Sequence, residues 1–187
     1  GWYDKPDPRK IHKKGVPRLG GIAIFIAFFV SVIITSVFVE SAVELRPYLL
    51  ILIGFAFIHG LGVFDDFINI PALLKLSGQL IAAVFVLAVG WSIGTFHVPF
   101  TDSTLTMPII GVLVSGVWIV GMTNAINLID GLDGFASIIA MVAFTVIGIF
   151  AVGVGAMVGA VVSFAMVGGI GGFFLFNRPP AKLFMGD

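Results

Sequence analysis

The chain has 187 residues, 59% of them hydrophobic and 11% charged, with a mean hydropathy of +1.15, a balance that excludes a soluble globular domain and marks a membrane protein. Its ten basic and ten acidic residues cancel, so no bulk electrostatic partner such as a nucleic acid is implied, and any charge argument rests on placement. Cysteine is absent, which removes disulfides, thiolate nucleophiles and cysteine-ligated metals together.

The opening, "GWYDKPDPRKIHKKG", is polar, has no initiator Met and no signal-peptide pattern, and reads as an internal start within a longer protein. Charge-free runs then follow, and crossing a bilayer takes about 20 apolar residues. Six spans are expected, near Leu19–Val39, Tyr48–Phe64, Leu76–Phe96, Pro108–Met122, Phe135–Val152 and Gly155–Phe176. The last two form one apolar stretch too long for a single crossing and are divided at "VGVG", a turn signal. The fold class is all-α, a polytopic membrane helix bundle forming a single transmembrane domain over 1–187. Its glycines either let helix backbones approach in lipid or simply fill space.

An even number of spans puts both ends of the chain on one side. That side carries Lys5, Arg9, Lys10, Lys13, Lys14, Arg18, Lys75, Arg178 and Lys182, against Arg46 alone on the other. The positive-inside rule makes the basic face cytoplasmic. The opposite loops, "ESAVELRP" and "HVPFTDSTLTM", read as plain connectors.

The carboxylates follow the same division. Asp65, Asp66, Asp130, Asp133 and Asp187 fall at the ends of spans on the basic face, whereas Glu40, Glu44 and Asp102 fall on the other. An acidic pair such as that in "GVFDDFIN" can be no more than a solvated span end. Five carboxylates on one face are different, because each like-charge contact at ~4 Å costs about 4 kcal/mol at an effective dielectric of about 20. A tight cluster therefore asks for a cation, and with oxygen donors and no Cys the natural choice is Mg²⁺.

In "TNAINLIDGLDGF", Asn124, Asn127, Asp130 and Asp133 repeat every three residues, which aligns them in a 3₁₀ segment and spreads them in an α-helix. Gly131 and Gly134 permit a turn or a close ligand approach, as in a half-broken segment lining a polar cavity. Alternatively, the Asn and Asp residues are helix caps and the glycines turn residues. The basic entry segment serves the positive-inside signal or anionic lipid. Lys and Arg beside a metal and carboxylate site also suit a diphosphate, as donors to a transferring phosphoryl group. His12 lies among these cations as donor or loop residue, and His59 and His97 read as structural.

Taken in order, "DKPDPRKIHKKGVPRLGG", "DDFINIPALLKLSGQ", "TNAINLIDGLDGFAS" and "NRPPAKLFMGD" resemble the successive cytoplasmic motifs of the polyprenyl-phosphate N-acetylhexosamine-1-phosphate transferases, glycosyltransferase family 4. The resemblance covers nearly the whole chain. It implies transfer of a sugar 1-phosphate from a UDP-amino sugar to a lipid phosphate, with release of UMP, at the cytoplasmic face of the bacterial inner membrane. The "VPRLGG" version resembles the N-acetylglucosamine branch, with undecaprenyl phosphate as acceptor; the phospho-N-acetylmuramoyl-pentapeptide transferase branch reads nearer "TPTMGG" and ranks second. Family members carry one more span before this segment and several after it, so the segment alone is expected to be inactive. A homodimer is compatible with the resemblance.

Residue by residue, the resemblance implies that Asp65 or Asp66 deprotonates or orients the lipid phosphate and that Lys75 neutralises phosphate charge. Asn127 and Asp187 would ligate Mg²⁺ on the UDP-sugar diphosphate. Asp130 and Asp133 would lie in the nucleotide pocket with Lys13, Asn177 and Phe184, the last as a stacking surface for uracil. The competing class is an ion-coupled transporter, whose carboxylates belong near the bilayer midplane rather than at span ends.

Overall fold

The computed structural model describes residues 3–4, 15–38, 49–97, 100 and 103–187. Lys13, His12, Glu40, Glu44, Arg46 and Asp102 lie outside the described residues, as do the other cations of the entry segment that precede Arg18. Six helices are present among the described residues: α1 (Gly20–Phe38), α2 (Leu49–Ile68), α3 (Ala72–Ala88), α4 (Pro108–Ile129), α5 (Phe135–Gly153) and α6 (Met157–Asn177). Two short antiparallel ribbons accompany them, β1 (Tyr3–Asp4) with β2 (Val16–Pro17) and β3 (Thr95–His97) with β4 (Thr104–Thr106).

The helix ends are written in the local sequence. Asn69 takes a left-handed φ of 52° and its N–H donates to the Asp65 carbonyl at 2.8 Å, which closes α2 before Pro71 starts α3. Pro108 occupies the first turn of α4, where its missing N–H costs nothing. The "VGVG" break separates α5 from α6, with Gly155 at φ 74°. At the far end of α6, the two prolines after Arg178 cannot continue the helix.

α6 is central, packed along α5 on one side and α1 on the other, while α2, α3 and α4 follow one another in a row. Ile24, Ile170 and Phe173 form the buried apolar core, with Ala140, Met141, Phe144 and Met166 around them and Leu183 and Met185 closing it from the segment after α6. The remaining helix surface is largely apolar and exposed, as at Ile33, Val37, Leu113, Val117 and Ile149, which suits a lipid surrounding.

Among the described residues, five helices are long and apolar enough to cross a membrane. The 17 residues of α3 span about 26 Å at 1.5 Å per residue, against about 30 Å of hydrocarbon. Hydrogen bonds between successive helix ends nevertheless give α3 a through course: Lys75 at its start bonds Asp65 at the end of α2, and the segment after its end bonds α4 near the opposite pole, Ile93 N–H to Ser115 Oγ at 2.8 Å. The expected third span, Leu76–Phe96, is thus displaced toward its N-terminus. Gly90 at φ 83° ends the run, so Thr95 and Phe96, expected within the span, join His97 of the expected connector in a strand that pairs with Thr104–Thr106. Threonines alternating with larger side chains favour that pleated pairing.

Candidate active site

The N-terminal ends of α1, α3 and α5 and the C-terminal ends of α2, α4 and α6 converge at one pole, and the segment Arg178–Asp187 runs across them as a strap. Strap carbonyls Phe184 O and Met185 O accept from Gly20 N–H and Gly21 N–H at 2.9 and 2.8 Å, and Phe184 N–H donates to Pro17 O at 2.8 Å. The first orphan donors of α1 are met by backbone.

Asn177 fixes the strap's other end. Only 2% exposed, its Oδ1 accepts from Gly134 N–H and from Ser137 Oγ, both at 3.0 Å, and its Nδ2 donates to Leu183 O at 3.0 Å. Asp133 Oδ2 accepts from Ala181 N–H at 2.9 Å. The turn between α4 and α5 is therefore stitched to the strap by two side chains, and Asn177 lies beneath the polar pole rather than on its surface.

The strap ends against α2. Asp187 N–H donates to Asp66 Oδ2 at 3.1 Å, and Arg18 Nη1 lies 3.7 Å from Asp66 Oδ1. This approach requires glycine twice: Gly186 adopts φ 83° and a Cβ there would overlap the Asp66 carboxylate, while a Cβ on Gly62 would fall 2.8 Å from the Asp187 carbonyl group. Lys75 sits between two carboxylates, with Nζ 2.9 Å from Asp65 Oδ2 and in direct contact with Asp187 Oδ2. Asp65 Oδ1 accepts from Ile70 N–H at 2.7 Å, so Asp65 also shapes the α2–α3 turn.

Asp130 follows α4 directly. Burial, then the carboxylates of Asp187 and Asp66, push its pKa up to about 6, with Arg18 opposing. The helix continues past the expected Met122 to Ile129, so Asn124 and Asn127 are α-helical, offset by about 60° around the axis rather than aligned. Asn124 pairs with the buried Gln79 of α3, Nδ2 to Oε1 at 2.7 Å, whereas Asn127 is exposed. Phe184 is half-buried on the strap. Below the polar pole an apolar groove of about 390 Å³ opens between α1 and α2, with Phe25, Phe28, Phe55, Ile58 and Val63 on its walls and Arg18, Asp66 and Asp187 at its mouth.

Among the described residues no three His, Cys, Asp or Glu side chains are grouped to hold a metal on their own. The oxygen chemistry of Asp187 and Asn127 still fits Mg²⁺, which keeps several waters and takes one or two protein ligands plus phosphate oxygens. A cation already rests on one of those oxygens, since the Lys75 ammonium contacts Asp187 Oδ2.

Residues 48–187 match the profile of glycosyl transferase family 4. The chain belongs to this family. Over 187 residues, all of the chain, it is 35% identical to a Bacillus subtilis protein named "Probable undecaprenyl-phosphate N-acetylglucosaminyl 1-phosphate transferase", covering 51% of it. It is also 36% identical over 191 residues to the phospho-N-acetylmuramoyl-pentapeptide-transferase of Listeria welshimeri, covering 95% of this chain and 58% of that one. The chain spans about half the length of the curated relatives it matches.

For a glycosyl transferase family 4 chain, the residues gathered here extend the set expected from sequence. Asp65, Asp66, Lys75, Asp130 and Asp187 come together. Lys13 lies outside the described residues. Arg18 belongs to the entry segment read as topology signal or diphosphate donor, and its pairing with Asp66 was not among the expected site contacts. Ser137, 0% exposed, carried no signal, because its role depends on Asn177, 40 positions away.

Proposed function

We propose that this chain is the core of an integral membrane enzyme that transfers N-acetylglucosamine 1-phosphate from its UDP derivative to undecaprenyl phosphate, releasing UMP and starting a cell-envelope polysaccharide. The observation that carries this reading is the meeting of Asp65, Asp66, Lys75, Arg18, Asp130 and Asp187 at one pole of an apolar bundle, directly above an apolar groove between α1 and α2. A lipid phosphate needs both environments within one molecule's length. The basic pole faces the cytoplasm of the bacterial inner membrane.

In the proposed reaction, an oxygen of the lipid phosphate attacks the sugar-bearing phosphorus. The bond from that phosphorus to the bridging oxygen breaks, and UMP leaves with the electron pair. Asp66, or Asp65 beside it, orients the attacking phosphate and accepts its proton, and Arg18 and Lys75 offset phosphate charge. Asn127 and Asp187 would hold Mg²⁺, which supplies electrostatic stabilisation of the diphosphate when bound. Asp130, Asp133 and Lys13 serve the nucleotide with Phe184 as the stacking face, and Asn177 supports that pocket from below. The enzyme works as a single chain or a homodimer.

The identity of the relatives at 35% and 36% separates the two sugar substrates little, and the "VPRLGG" motif favours N-acetylglucosamine. The decisive experiment offers the full-length protein a panel of UDP-amino sugars with undecaprenyl phosphate and scores UMP release. Turnover with UDP-N-acetylglucosamine is expected. Turnover only with UDP-N-acetylmuramoyl-pentapeptide would transfer the assignment to peptidoglycan synthesis.

A further inference from the structure

Asp187 is held at two points by partners of different kinds. Its backbone N–H donates to Asp66 Oδ2, while its side chain contacts the ammonium of Lys75. Lys75 is itself held twice, because its Nζ also bonds Asp65 Oδ2 at 2.9 Å, and Asp65 is pinned in turn by Ile70 N–H. The two carboxylates differ in access: the Asp65 side chain is 11% exposed and that of Asp187 is 33% exposed. The contact to Asp65 is thus the anchored one, and the contact to Asp187 can break without moving α2, α3 or the strap.

We infer that the Lys75 ammonium is a placeholder cation on Asp187, which a divalent metal must displace before the site can take a diphosphate. This inference rests on the proposed role of Asp187 as a metal ligand and adds a regulatory part to it. An ammonium on a carboxylate oxygen opposes Mg²⁺ at the same carboxylate, because the metal sits only about 2.0–2.1 Å from its oxygen and the two positive charges repel across so short a separation. Displaced, the ammonium stays tethered near Asp65 and is free to donate to an incoming phosphate. Metal entry and phosphate capture become one coupled event, and without metal the acidic pole is spared the repulsion of an uncompensated Asp187.

The test measures Mn²⁺ binding to the full-length protein in detergent by loss of the free-ion EPR signal, for wild type, Lys75→Gln, Lys75→Arg and Asp187→Asn. Removing the placeholder charge should tighten binding by about tenfold in Lys75→Gln, with Lys75→Arg near wild type and Asp187→Asn weakened. Equal affinity in wild type and Lys75→Gln, or weaker binding in Lys75→Gln, overturns the placeholder while leaving the metal ligand in place if Asp187→Asn still loses binding. Binding unaffected by Asp187→Asn overturns the metal reading, and the inference with it. A second measurement needs no variant. Acylation of Lys75 by an amine-reactive ester, read by peptide mass spectrometry, should rise several-fold with added Mg²⁺, whereas unchanged or reduced labelling overturns the placeholder.

Discussion

Asp66 and Asp187 are joined by a backbone-to-carboxylate hydrogen bond of 3.1 Å across 121 positions of sequence, and the residue between them in space is Gly186. A left-handed φ of 83° costs a non-glycine residue about 1–2 kcal/mol, and any Cβ there also meets the Asp66 carboxylate. Gly186→Ala should therefore lower the melting temperature in detergent and reduce UMP release more than it lowers folded yield. Full activity with unchanged melting would show that the strap does not need to reach Asp66.

Asn177→Ala removes three hydrogen bonds at once, two buried and one part-buried, and strands Gly134 N–H, Ser137 Oγ and Leu183 O. Each buried group left unmet costs about 1–3 kcal/mol. Thermal unfolding should find Asn177→Ala much less stable than Ser137→Ala, which deletes a donor and leaves the amide its other bonds. Equal effects would mean that the clamp works through Ser137 alone.

These two clusters also mark how far the sequence could be read. Helix positions came through because apolar runs longer than about 17 residues have few alternatives in lipid, and the boundary at "VGVG" was legible through its glycines. The end of α4 was not: Asn124 and Asn127 resembled a broken segment, yet the helix runs on to Ile129, with Asn124 bonding Gln79, a partner 45 positions away in α3. The acidic residues and Lys75 were legible as a face because helix parity fixes sides. Which carboxylate meets which cation depends on the strap's path, and nothing local to "LFMGD" encodes that path.

Asp130 makes a pH prediction. Its folded pKa of about 6 exceeds its ordinary 3.8, so between these values the folded chain keeps a proton that the unfolded chain has released. The stability it contributes is full below pH 3.8 and is lost as pH rises through about 6. Melting curves of wild type and Asp130→Asn should coincide near pH 4 and separate by pH 7.5, with the variant the more stable. A constant difference across that range would place the titration elsewhere.

In the full-length enzyme, Asp187→Asn and Asn127→Ala should abolish Mg²⁺-dependent UMP release with little change in melting temperature, since Asp187 and Asn127 are both exposed. Asp65→Asn should also disturb the α2–α3 turn through Ile70 and melt earlier. Retained Mg²⁺ dependence in both Asp187 and Asn127 variants would remove them from the metal site.

Because the chain has no cysteine, single replacements report topology directly. Leu73→Cys and Arg178→Cys should react with an impermeant maleimide from one face of the membrane and Ser103→Cys from the other. Reaction of Leu73 and Arg178 from opposite faces would break the six-pass arrangement.

The bonds from Gly20 and Gly21 to the carbonyls of Phe184 and Met185 also set a timetable. The ribosome makes the start of α1 roughly 160 residues before it makes the strap, and at about 5–20 residues per second that is an interval on the order of ten seconds or more. Throughout it the first turn of α1 has water or lipid headgroups as its partners, and the acidic end of α2 waits without its lid. The polar pole closes only after α1 to α6 have all been made, so a nascent chain stalled before the strap would hold those six helices with no assembled centre.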